Sequence, residues 1–117
     1  MNPLIEKLKK NRETEVEAGG FKFTVRRPTD MQIADMRDQD IKQGDILERF
    51  VVGWSGVREL DIIPSGSAME IPFDTGVFME WVADHPELWV DLCQAAITSY
   101  ETHQARLTEK VGEPDAG

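Results

Sequence analysis

Thr14–Arg26 reads TEVEAGGFKFTVR, two alternating runs on either side of Gly19-Gly20. Apolar and polar residues alternate in Thr14–Ala18 and again in Phe21–Val25, the period of a strand with one buried face. A Gly-Gly step between such runs predicts a hairpin, because tight hairpin turns need positive φ at their centre and glycine supplies it without strain. The implied register pairs Ala18 with Phe21, Val16 with Phe23 and Thr14 with Val25 on one face. Glu15, Glu17, Lys22 and Thr24 fall on the other. A lone hairpin is marginal in water, so Phe21 and Phe23 have to lie on helices or on a third strand.

Outward from the hairpin, the pattern turns helical. Asn2 and Pro3 read as cap and first residue of a short helix to Lys10, with Leu4, Ile5 and Leu8 on one side. A helix that short is marginal alone and has to dock or fray. Arg26-Arg27-Pro28 ends the second strand, and Thr29 or Asp30 caps a charged helix expected to run to about Gln43. Gly44 suits its end and Asp45 opens the next helix, where Ile46, Leu47, Phe50, Val51 and Trp54 recur at helical spacing. Asp74 caps a helix carrying Val77, Phe78, Trp81 and Val82 and ending near Asp84. Pro86 disfavours helical geometry at His85 and starts the last and longest helix, whose face is Leu88, Leu92, Ala95, Ala96 and Ser99.

The expected fold class is therefore α+β: a helix-dominated single domain, residues 1–107, with one antiparallel β-hairpin packed on about four helices. From Thr108 the periodicity gives way to Gly, Pro and acid, which predicts a flexible acidic C-terminal tail over 108–117. A length of 117 residues fits one domain, and a chain of this size buries roughly two-thirds of its unfolded surface.

Charge is unevenly distributed. Residues 1–58 carry a net +1 and residues 59–117 a net −10. The acidic half repels phosphates and anionic headgroups, which argues against nucleic acid or membrane as a partner. It serves solubility, or it meets a basic partner segment. The single cysteine excludes an internal disulfide framework and fits a reducing compartment. No apolar run approaches the roughly 18 residues of a membrane span, and the first residues lack the pattern of a secretion signal, so the expected location is cytoplasmic.

No catalytic motif is present. His85 and His103 lack partners at metal-ligand spacing, and Asp84-His85 with Asp91 does not supply them. Cys93, between Leu92 and Gln94 on an apolar helix, reads as a buried thiol. Asp35 and Asp38, interleaved with Arg37 and Lys42, read as a solvated helix surface. Gly53-Trp54-Ser55-Gly56 fits no phosphate-binding or nucleophile motif. The basic residues Lys7, Lys9, Lys10, Arg12, Arg26 and Arg27 lie near Phe21 and Phe23, but the alternation turns both rings away from Lys22 and into the core. The expectation is a chain with no catalytic residue, cofactor or metal.

The order of hairpin, Arg27-Pro28-Thr29, charged helix, Gly53-Trp54-Ser55-Gly56-Val57, polar turn and Ile71-Pro72-Phe73-Asp74 resembles the tail assembly chaperones of long-tailed bacteriophages, over residues 20–100. The loop between Leu60 and Ile71 departs from the compact Asp-Gly turn of that pattern, and the first dozen residues have no counterpart in it. The resemblance implies a small non-enzymatic protein that binds the long helical tape measure protein, and with it the tail tube protein, and is absent from the finished particle. It also implies a longer form made by ribosomal frameshifting. A tail completion or connector subunit retained in the virion is the alternative, and a small carboxylate-dependent hydrolase a more distant one. Trp54, Phe73, Trp81 and Trp89 are the candidate partner contacts; helical spacing explains the first three as core, whereas Trp89, displaced from the Leu88/Leu92 stripe, reads equally as core or as an exposed contact.

Overall fold

Gly19 and Gly20 adopt φ of 58° and 86°, the paired positive values that a two-residue hairpin turn requires. The structure, a computed structural model, describes residues 2–112. Its β1 (Glu13–Ala18) and β2 (Phe21–Arg26) pair in the register read from the alternation, Ala18 opposite Phe21 and Val16 opposite Phe23. The turn is also clamped from outside: a Cβ on Gly19 would run into the Leu88 side chain.

The hairpin does not stand alone. After α2 (Asp30–Met36) and α3 (Gln43–Phe50), the chain passes without a loop into β3 (Val51–Ser55), which pairs antiparallel with β2 and makes it the central strand. Phe23 faces Trp54 and Thr24 faces Gly53, with a bulge between Thr24 and Val25. This corrects the expected helix through Trp54. Helical spacing of Phe50, Val51 and Trp54 gave the wrong period, and the β-branched pair Val51-Val52 followed by Gly53 disfavours a helix there.

Beyond β3, α4 (Glu59–Ile62) is a single turn, α5 covers Thr75–Val82 and α6 covers Pro86–Gly112. The N-terminal α1 (Pro3–Asn11) is capped by Asn2, whose side chain accepts from the Leu4 amide at 2.8 Å. Over the described residues the chain is thus an α+β domain with six helices and a three-stranded antiparallel sheet. Its core lies where one face of the sheet meets α3, α5 and α6: Phe23 and Val25, Leu47 and Phe50, Phe78 and Trp81, Leu88 and Leu92 are all buried. The opposite sheet face keeps Glu15, Glu17 and Lys22 in water.

Three boundaries differ from expectation. The charged helix stops at Met36 rather than Gln43. Arg37-Asp38-Gln39-Asp40 has no apolar residue to bury, and aspartates beside the negative end of a helix dipole oppose extension. Asp35 and Asp38 consequently share no helix face. Gly44 sits in the first turn of α3, where the Asp45 carboxylate accepts from the Lys42 amide at 3.2 Å. Helix α6 runs through Thr108 to Gly112, since residues 108–111 hold no glycine or proline to end it earlier; the rest of the expected tail, 113–117, lies outside the described residues.

Candidate partner-binding surfaces

Trp54 is placed by β3 and Phe73 by the segment before α5, and their rings meet edge to face at 5.0 Å. Trp54 also meets Trp81 at 5.9 Å, and Trp81 meets Phe21 at 5.1 Å. The Trp54 indole N–H donates to the Ile71 carbonyl at 2.8 Å. Trp81, with 6% of its surface exposed, is a core residue, while Trp54 and Phe73 are half-buried and packed against that core. These three candidate contacts form one cluster whose ring faces are largely taken up by packing.

Trp89 stands apart. It lies half-buried in a shallow pocket of about 240 Å³ with Gln43, Gly44, Leu47, Met79, Val82 and Ala83, between α3, α5 and the start of α6.

The stretch between Trp54 and Phe73 is a loop closed on itself by backbone bonds. Glu59 N–H donates to Met69 at 3.2 Å, Leu60 N–H to Ser67 at 2.9 Å and Ile71 N–H to Val57 at 2.9 Å. Arg58 forks onto Asp61 through contacts of 3.1 and 2.9 Å, which holds the Asp61 carboxyl below its ordinary range. A Cβ on Gly66 would fall 2.7 Å from the Glu59 backbone, so the loop closes only around a glycine.

Two apolar grooves escaped the sequence reading. The first, about 270 Å³, runs between α2, α3 and α6 and is lined chiefly by Ile33, Met36, Ile41, Ile46, Phe50 and Ile97. The stripes of all three helices contribute to it, and α2 itself has no buried residue. The second, about 810 Å³ and more open, lies between α4 and α5, with Ile62, Ile63, Val77 and Trp81 as its apolar lining and Asp74, Glu80 and Asp84 as its carboxylates. Helical spacing marked Val77 and Trp81, but no local signal brings Ile62 and Ile63 beside them.

The remaining candidates for chemistry have structural surroundings. Cys93 is buried with Sγ 3.6 Å from the Gln43 carbonyl, and burial pushes its thiol up, away from the thiolate a nucleophile needs. His85 Nδ1 lies 2.7 Å from Glu87, and the His85 carbonyl accepts from the Leu88 and Trp89 amides at the start of α6. Asp30 accepts from the Tyr100 hydroxyl at 2.8 Å and the Gln104 amide at 2.6 Å, with His103 Nε2 at 3.8 Å. Arg26 pairs with Glu13 at 2.9 Å, and Phe23 is buried in the core. Among the described residues no three His, Cys, Asp or Glu are grouped to hold a metal ion. None of the described helices is long and apolar enough to cross a membrane.

No family model, no curated protein and no solved structure matches this chain.

Proposed function

We propose that this protein is a tail assembly chaperone of a long-tailed bacteriophage, a non-enzymatic protein that holds the tape measure protein soluble while tail tube subunits assemble around it. The resemblance across residues 20–100 supplies the family. The observation that carries the reading within the molecule is the α2–α3–α6 groove. Its lining is apolar from Ile33 to Ile97, and Ile97 remains 44% exposed. A groove of this kind accepts the apolar face of an amphipathic helix, and the net charge of −9 keeps a complex with an aggregation-prone helix dispersed.

Co-expression with the tape measure protein of the same phage tests this. The soluble yield of that protein is expected to rise with the wild type and to fall back with Ile97→Asp, a change on an exposed edge that leaves the core untouched. An unchanged yield with the wild type overturns the proposal. Mass spectrometry of purified virions separates the chaperone from a retained tail subunit, because only the latter is abundant in particles.

A further inference from the structure

Helix α1 is a basic amphipathic element whose apolar side is exposed. It has no buried residue, and Leu4, Ile5 and Leu8 are 62%, 49% and 48% exposed. At about 100° per residue the three form one stripe, and Lys7 and Lys9 fall on its two flanks. With Lys10 added and only Glu6 opposing, the helix carries a net +2.

The α4–α5 groove is the inverse of this helix. Ile63 and Val77, both exposed, extend an apolar floor reaching down to Trp81, and Asp74, Glu80 and Asp84 stand around it. Among the described residues no lysine or arginine lines it, and His85 is its one basic side chain. Asp74 is partly engaged, since it accepts from the Val77 amide at 2.9 Å as the cap of α5. Glu80 and Asp84 are exposed.

In this structure a chain's own α1 does not line its own groove. Only Arg12 separates α1 from β1, and the Arg12 carbonyl is itself tied to the sheet by the Arg27 amide at 2.7 Å. That connection sits at the Glu13–Arg26 end of the hairpin. The groove's Trp81 packs on Phe21, at the turn end of the same strands. The two ends of a six-residue strand are separated by about 17 Å, which sets the root of α1 well away from the groove.

We propose that the apolar stripe of α1 from one copy seats in the α4–α5 groove of a second copy, with Lys7 and Lys9 against Glu80 and Asp84. The contact joins two different surfaces, so it propagates head to tail unless two copies exchange helices reciprocally. Three aliphatic side chains and exposed rim charges make a small interface, so the association is weak and salt-sensitive. This inference does not depend on the chaperone reading, and its test involves no tape measure protein.

Sedimentation velocity from micromolar to millimolar protein, at low and high salt, reads it directly. The wild type is expected to gain mass with concentration and to lose that gain in high salt. Leu8→Asp, Lys7→Glu with Lys9→Glu, and Glu80→Lys with Asp84→Lys should each weaken association about tenfold or more. Each changes only exposed side chains, and circular dichroism confirms the fold. Mixing the two charge-reversed proteins restores pairing between them. Amide exchange over residues 3–11 should slow as wild-type concentration rises. A wild type that stays monomeric throughout overturns the proposal, as does unweakened association of Leu8→Asp or a mixture that fails to pair. Monomeric protein that instead takes a Lys-rich amphipathic peptide into the groove, or that binds anionic vesicles through α1, overturns the second copy as occupant.

Discussion

Trp54 and Ile71 are joined by one hydrogen bond, indole N–H to main-chain carbonyl at 2.8 Å, that spans 17 residues and holds the start of the α5 segment against the last strand. The same indole meets the Phe73 and Trp81 rings, so Trp54 ties the sheet, the closed loop and α5 together. Trp54→Phe keeps an aromatic ring but leaves the Ile71 carbonyl without its donor, an expected loss of about 1–2 kcal/mol. Trp54→Ala also removes the ring contacts, for a loss of about 3 kcal/mol. Urea denaturation of both variants checks the order, and equal losses would show that the ring contacts contribute nothing beyond the hydrogen bond.

The two turn glycines should respond differently to alanine. Gly20 has positive φ but open space where a Cβ would go, so Gly20→Ala carries only backbone strain, about 1–2 kcal/mol. Gly19 has positive φ and the buried Leu88 side chain in the way. Displacing Leu88 from its rotamer in a packed core adds about 1–3 kcal/mol to Gly19→Ala. Thermal midpoints of the pair check this, with Gly19→Ala the lower.

Cys93 should behave as a packing residue whose thiol resists ionisation. Burial favours the neutral form, so its folded pKa lies above the unfolded one. The resulting stability is complete below the unfolded pKa and is lost as pH rises through the folded value. Wild type should therefore lose more stability than Cys93→Ala between neutral and alkaline pH. A thiol reagent should modify the native protein far more slowly than the protein in denaturant, and comparable rates would place the thiol outside the core.

The parts of this fold that could be read from the chain are those with a local cause. Gly19-Gly20 between alternating runs specifies a hairpin and its register, and Pro86 specifies where α6 begins, because both signals act within a few residues. Strand β3 has no such signal. Phe50, Val51 and Trp54 suit a helical face as well as a strand, and the partner that decides, β2, lies some thirty residues upstream. The closed loop is held mainly by backbone bonds such as Ile71 to Val57, which leave little mark on side-chain pattern. The four aromatic candidates were visible as residues, but whether a ring is spent in packing depends on tertiary neighbours. Trp81 is surrounded by Phe21, Phe23 and Trp54. The grooves were hidden for the same reason, since Ile62 and Val77 come together only through the loop.

Tyr100 offers a spectroscopic test of how α2 is held to α6. It is the only tyrosine in the chain, and its hydroxyl donates to Asp30 at the start of α2 while Gln104 donates to both. A phenol hydrogen-bonded to a carboxylate resists ionisation, because tyrosinate would lose that bond and face a like charge, and the Tyr100 pKa is raised accordingly. The sign follows: the contribution to stability is complete below the unfolded phenol's pKa and is lost as pH climbs through the raised folded value. Ultraviolet titration of the native protein should show tyrosinate appearing later than in the unfolded chain. Asp30→Ala removes the acceptor and should return the titration towards the ordinary value. Thr29→Ala, which removes the hydroxyl that caps α2 by accepting from Gln32 at 3.1 Å, should cost about 1 kcal/mol of stability with a smaller effect on the phenol. If Asp30→Ala leaves the titration where it was, the hydroxyl is not bonded to Asp30 in solution, and α2 is held to the domain by the Ile33 and Met36 side of the groove alone.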